Sequence, residues 1–221
     1  MRDIKKAAVA AVAVAACAAA SGGTLVQSTF ATGAEGWKAG NGASHFAWHA
    51  VGGHPGGYVS ADDSVGGKTW VFIAPDSFLG DMSAAFGGTL SYDLKSSNPG
   101  GATGESFPEV KLVGTNELTL VESAFAAPGA AWTSYSVKLA PGVWHVDSLT
   151  GALASASDLQ SVLGSLSALY IRGEFSTEFD VGSLDNVTLS APAPAVPEPE
   201  QAWLLVAGLA ALAAIARTRK R

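Results

Sequence analysis

An all-β antiparallel sandwich with one short helix is the fold predicted by the middle of this chain, flanked by an N-terminal signal peptide and a C-terminal transmembrane helix. Three observations carry the sandwich. The 221 residues include 26 glycines and only 14% charged residues, a profile of short strands joined by tight turns rather than of long helices. Several short runs alternate apolar and polar residues, the period of a strand with one buried face. A single stretch has helical spacing instead.

The chain opens with a basic n-region (Arg2, Lys5, Lys6), and an apolar h-region follows from Ala7 to Ala16. Ala18-Ala19-Ala20 offers an A-x-A cleavage site before Ser21, so residues 1–20 read as a signal peptide and signal peptidase as a partner. Val14-Ala15-Ala16-Cys17 also fits a loose lipobox in which Cys17 would be lipidated. The small residues after Cys17 suit ordinary cleavage equally well. Cys17 is the only cysteine, so ordinary cleavage leaves no disulfide framework and no thiol nucleophile.

Residues 24–190 suit one domain with a full hydrophobic core. They hold six Lys and Arg against 16 Asp and Glu, a net charge near −10. Such a surface repels nucleic acid and anionic lipid and favours cations or neutral partners.

Phe30 and Trp37 flank a turn, an opening common in sandwiches. Gly40 to Gly57 reads as a Gly-rich solvated loop holding His45, Trp48, His49 and His54. Three close histidines invite a metal, but no helix fixes their spacing. Asp62-Asp63 reads as the next turn. Lys68 to Ala74 is β-branched and aromatic, a buried strand ended by Pro75. In Thr89 to Lys95, Leu90, Tyr92 and Leu94 face one way and Ser91, Asp93 and Lys95 the other. Ser96 to Gly104 is a turn. Val110 to Val113 and Leu118 to Val121 form a hairpin about Gly114-Thr115-Asn116. Ser134 to Leu139 places Tyr135, Val137 and Leu139 inward.

The helical stretch starts at Ser155 or Ser157 as cap, with Asp158 in its first turn. Leu159, Val162, Leu163 and Leu166 make its apolar face, and Gly164 limits its length. Ala168 to Phe175 and Ser183 to Ser190 are the last strands. The count is eight to ten strands and one helix.

Five stretches in register give the segment a family resemblance. They are residues 74–81 (Ala74-Pro75-Asp76-Ser77-Phe78-Leu79-Gly80-Asp81), 87–94 (Gly87-Gly88-Thr89-Leu90-Ser91-Tyr92-Asp93-Leu94), 158–163, 169–175 and 184–189. In this order they resemble the laminin B, or laminin IV, domain. The resemblance implies a jelly-roll β-sandwich like those of carbohydrate-binding modules, and no catalytic site.

The residues agree that catalysis has little support: there is no G-x-S-x-G, P-loop or H-E-x-x-H motif. A glycosidase pair could still hide among the acids, since sequence shows no distances. Asp185 stands out. Strand parity with Val187 and Leu189 puts it at the rim of the core, where a carboxylate needs donors or a cation. Backbone N–H groups are one solution. A structural Ca²⁺ shared with Glu35 is another, if the first and last strands pair. Arg172 takes outward parity from Ile171 and calls for an acid on a neighbouring strand. Among five tryptophans in the segment, Trp48 is the surface candidate for stacking on a sugar ring, and Trp70 reads as core.

Ala191 to Ala195 is an extended Pro-Ala linker. Residues 196–221 then run Val196-Pro197-Glu198-Pro199, an apolar span from Ala202 to Ala216, and Arg217-Thr218-Arg219-Lys220-Arg221. The span reaches only ~22 Å against a ~30 Å hydrocarbon core, and Trp203 with snorkelling arginines could make up the difference. Terminal cations hold that end in the cytoplasm. The tail resembles the PEP-CTERM sorting signal, which implies an exosortase as partner, transient inner-membrane anchoring and cleavage near the motif. The chain then reads as an exported cell-surface or matrix protein with a non-catalytic module for adhesion or polysaccharide association, meeting extracellular polysaccharide or a protein partner. A structural surface protein without a specific ligand and a secreted hydrolase are the alternatives.

Overall fold

The computed structural model describes residues 22–63, 69–98, 107–122 and 126–194. The signal peptide, the sorting motif Val196–Pro199 and the apolar span 202–216 lie outside the described residues. Among the described residues no helix is long and apolar enough to cross a membrane.

The compact unit Gly22–Ala193 is an all-β sandwich with one helix. Its strands are β1 (Thr24–Ser28), β2 (Lys38–Gly40), β3 (Ala43–Gly53), β4 (Gly56–Asp63), β5 (Val71–Ile73) and β6 (Thr89–Ser96). They continue with β7 (Val110–Gly114), β8 (Thr119–Glu122), β9 (Thr133–Lys138), β10 (His145–Val146), β11 (Leu166–Arg172) and β12 (Val181–Ser190), while α1 (Ala156–Leu163) precedes β11. One sheet runs β3-β4-β12-β6-β9 and the other β10-β8-β7-β11-β5-β2, with every pairing antiparallel. Twelve strands among the described residues exceed the eight to ten expected, because β2 and β10 are too short to leave a periodic signature.

The alternation read in the sequence sets the two faces. Leu90, Tyr92 and Leu94 of β6 and Tyr135 and Val137 of β9 are buried between the sheets. From the other sheet Leu112, Leu120, Leu169 and Ile171 meet them, and Trp37, Trp70 and Trp144 fill the space at 0–2% exposure. Each such side chain contributes about 1.5–3 kcal/mol of burial. Phe30 and Trp37 meet edge to face with centroids 6.2 Å apart, so the opening turn is pinned to the core.

β12 is the hinge of the first sheet. Its first half pairs with β4 (Leu184 with Val59), its second half with β1 (Ser28 with Val187), and β6 flanks it on the other side. A bulge between Asp185 and Thr188, with Asn186 at φ 51°, marks the change of partner. The bulge adds a residue, so parity does not carry across it. Leu184, Val187 and Leu189 are all buried core residues. Asp185 therefore faces away from the core, which corrects the parity that placed it with Val187 and Leu189.

Three further expectations change. The loop expected over residues 40–57 is mostly β3, an edge strand whose residues are all part-exposed or exposed, so no alternation shows. Gly52 and Gly56, at φ 94° and 93°, allow the return into β4. Asp62-Asp63, expected as a turn, ends β4. Leu166 leaves the helix: α1 carries a capping box between Ser155 and Asp158 and stops at Gly164. Leu166 instead exchanges two 2.8 Å backbone bonds with Gly80 and opens β11.

An outer sheet face and a buried acidic cluster

With Val59 and Ala61 buried, Tyr58 and Ser60 of β4 point outward, as do Asp93 and Lys95 of β6. These side chains build a polar face with an aromatic row across it. His49 of β3, opposite Tyr58, stacks on its ring with centroids 4.5 Å apart. Tyr58 meets Trp132 edge to face at 5.5 Å. The Lys95 ammonium lies 4.4 Å from the Tyr58 ring centroid and 4.5 Å from that of Trp132. Burial lowers the Lys95 pKa, and the Asp185 carboxylate opposes that shift. Trp132, just before β9, reaches the β3–β4 hairpin, where its Nε1–H donates to the Gly52 carbonyl at 3.0 Å. Partly exposed rings of this kind offer apolar faces to a ligand and polar groups at their edges.

Beneath the hairpin tip lies Asp185, fully buried. Its Oδ2 accepts the His54 backbone N–H at 2.5 Å and its Oδ1 that of Asn186 at 2.7 Å. The Asn186 side-chain amide donates to Asp93 Oδ2 at 2.8 Å and to the His54 carbonyl, and His54 Nδ1 sits 3.1 Å from Asp93. Burial raises the Asp185 pKa, as does the Asp93 charge, while the two backbone donors oppose them. The backbone-donor solution is thus present. The first and last strands do pair, but Glu35 sits exposed in the turn after β1 at φ 50°. It joins no three-ligand group with Asp185 among the described residues.

Trp48 is opposite Val59, which puts it on the core side of the edge strand, away from Tyr58 and Lys95. It is 37% exposed, and its Nε1–H donates to the Phe30 carbonyl at 2.7 Å. The three histidines separate: His45 meets Asp62 at 3.0 Å, His49 meets Ser60 Oγ at 2.8 Å, and His54 meets Asp93. Arg172 finds its acid in Glu109 at 3.7 Å, just before β7.

Sequence reasoning missed a second feature. Asp63 at the end of β4, Glu174 after β11 and Asp180 before β12 bring carboxylate oxygens within 4.8 Å of one another, all buried. Asp180 Oδ2 accepts from Ser96 Oγ at 3.0 Å, and Asp63 Oδ1 accepts the Asp180 N–H at 3.3 Å. Burial, with Asp180 and Asp63 adding their charge, pushes Glu174 up to about 7; Asp180 is also raised, mainly by burial. The three positions are far apart in sequence. The available signal was a glutamate, Glu174, three residues past the last apolar residue of β11.

The model of the Laminin B (Domain IV) family matches residues 71–204, more than half of the chain. The chain belongs to this family. Among curated relatives, the laminin-like protein lam-2 of Caenorhabditis elegans is 28% identical over 138 residues, 60% of this chain and 8% of the relative. The basement membrane-specific heparan sulfate proteoglycan core protein of Mus musculus is 29% identical over 132 residues, 59% of this chain and 3% of the relative. This laminin B chain therefore spans a small fraction of the length of those relatives. Similar solved structures include the L4b domain of human laminin alpha-2, with TM-score 0.47 and 15% identity over 55% of this chain and 70% of that one. A family 11 carbohydrate-binding module from Clostridium thermocellum has TM-score 0.49 and 18% identity over 79% and 98% of the two chains.

Proposed function

We propose that this laminin B chain is an exported, non-catalytic module that associates with extracellular polysaccharide through the outer face of its first sheet. The observation that carries the reading is the row His49, Tyr58, Lys95 and Trp132, which spans that face from the β3 edge to the start of β9. Aromatic rings supply stacking surfaces for the C–H faces of sugars, and the Lys95 ammonium supplies hydrogen bonds to hydroxyls, while the buried Ser60 and Asp93 meet His49 and His54 beneath that face. The excess of acids over bases between the two terminal signals favours neutral glycans over anionic ones. Membership of a family whose named relatives are laminin-like and basement-membrane proteins supports an extracellular setting.

The ends of the chain supply the route. The N-terminal segment directs export through signal peptidase. Val196, Pro197, Glu198 and Pro199, with the apolar span and the terminal cations, direct transient anchoring in the inner membrane and processing by an exosortase. The intact mass of the protein from cells with and without exosortase tests this route. A tail retained in both would end it.

Retention of the full-length chain on a panel of immobilised neutral and acidic polysaccharides tests the binding. The reading expects retention on at least one neutral glycan, with roughly tenfold or greater loss in Trp132→Ala, since each stacking contact is worth on the order of 1 kcal/mol or more. Retention that survives both Trp132→Ala and Tyr58→Ala would remove this face from the account.

A further inference from the structure

We propose that Asp63, Glu174 and Asp180 form a Ca²⁺ site that ties three strand ends together. This is a different place from the outer sheet face, and it stands without the polysaccharide reading. Two independent observations support it. The first is the geometry: one carboxylate oxygen from each residue lies within 4.8 Å of the other two. Oxygens on a Ca²⁺ ion sit about 2.4 Å from the metal, so a shared ion confines them to about that mutual span. The second is the state of the side chains. Glu174 is 2% exposed, yet neither of its carboxylate oxygens makes a hydrogen bond of ordinary length and angle among the described residues; the Ser176 backbone N–H lies near enough to oppose the rise of its pKa without closing such a bond. Asp180 is fully buried, and its Oδ1 is likewise unmet.

The charge balance points the same way. Among the described residues Arg172 is the cation nearby, and its guanidinium is already engaged, with Nε–H donating to the Glu174 backbone carbonyl at 2.5 Å and an Nη1 3.7 Å from Glu109. Three buried carboxylates with a diverted cation are costly to hold in one place. A divalent ion with hard-oxygen preference satisfies the orphaned oxygens and the charge together. Each residue offers one carboxylate oxygen to the ion, so the three carboxylates would supply part of the six to eight oxygen ligands that Ca²⁺ takes. The loop between β11 and β12 is drawn to the end of β4 by these groups, so the ion would lock that rim of the sandwich.

Thermal melts of the full-length chain in EDTA and in millimolar Ca²⁺ test the site. The expected result is a melting temperature several degrees higher with Ca²⁺, a shift lost in Glu174→Gln. Asp185→Asn should keep the shift. No Ca²⁺-dependent shift in the wild-type chain would overturn the proposal, as would a full shift in Glu174→Gln. Loss of the shift in Asp185→Asn with retention in Glu174→Gln would place the ion elsewhere and would also overturn it. Terbium provides a readout that does not depend on stability. Trp70 packs against Gly173 and Gly182, whose Cβ positions would fall 1.9 and 2.8 Å from its ring, so the indole adjoins both arms of the site. Tryptophan-sensitised terbium emission that Ca²⁺ displaces and Asp63→Asn abolishes supports the site. Emission unchanged in Asp63→Asn counts against it.

Discussion

Trp132 donates its indole Nε1–H to the Gly52 carbonyl at 3.0 Å, so a residue at the mouth of β9 holds a hairpin that belongs to the opposite edge of the sheet. The bond crosses above β6 and β12 and keeps the aromatic row of Tyr58 and Trp132 in place. Trp132→Phe keeps an apolar ring and deletes the donor. A loss of about 1 kcal/mol is expected in denaturant melts. Faster amide exchange should be confined to the β3–β4 hairpin, and exchange unchanged there would mean that the bond does not restrain it.

Asp185 shows what the bulge in β12 does. Its carboxylate accepts two backbone N–H groups that the hairpin tip and the bulge leave without strand partners. Asp185→Ala strands both donors in a buried place and should cost about 3 kcal/mol. Asp185→Asn retains one acceptor oxygen and should cost less. Urea unfolding of the two variants checks the order, and equal losses would show that the acceptor role is not what matters.

Gly173 and Gly182 make room for Trp70. A Cβ on Gly173 would come 1.9 Å from Trp70 Cζ3, inside a side chain with no exposed surface. Gly173→Ala should therefore destabilise by about 1–3 kcal/mol or prevent folding. Gly33→Ala, where nothing lies within 4 Å and φ is ordinary, should change stability by less than about 0.5 kcal/mol. Melting temperatures of the pair check the contrast.

The helix cap gives a smaller test. Ser155 Oγ accepts the Asp158 N–H at 3.2 Å, and Asp158 Oδ2 accepts the Ser155 N–H at 2.8 Å. Ser155→Ala should cost about 1 kcal/mol. A neutral result would assign the start of α1 to packing of Leu159 and Leu163 alone.

How much of this was legible depends on where each residue sits. The strand from Thr89 and the strand from Thr133 each have one face in the core and one in water, so their periodicity appears in the residues themselves. The cap at Ser155 is a local motif and was equally visible. β3 was not, because an edge strand exposed on both faces has no pattern to show, and its order comes from pairing with β4. Asp185 stood out as a rim carboxylate that needs donors or a cation, and two backbone N–H groups meet it, but parity gave the wrong direction, because a bulge at Asn186 changes parity without changing composition. Among aromatics, Trp48 looked exposed from its Gly and His neighbours, and it is. The residues that gather on the outer face, Tyr58 of β4 and Trp132 at the start of β9, come from strands that β12 and β6 separate. Asp63, Glu174 and Asp180 are likewise joined only by topology, which no spacing rule reveals.

The most direct test of the binding face follows the indole N–H resonances while a retained polysaccharide is titrated into the isotopically labelled chain. The Trp132 resonance is expected to move on binding, and that of Trp48, on the other side of the edge strand, to stay where it was. Movement of Trp48 with Trp132 unchanged, or no movement of either with any polysaccharide, would contradict it.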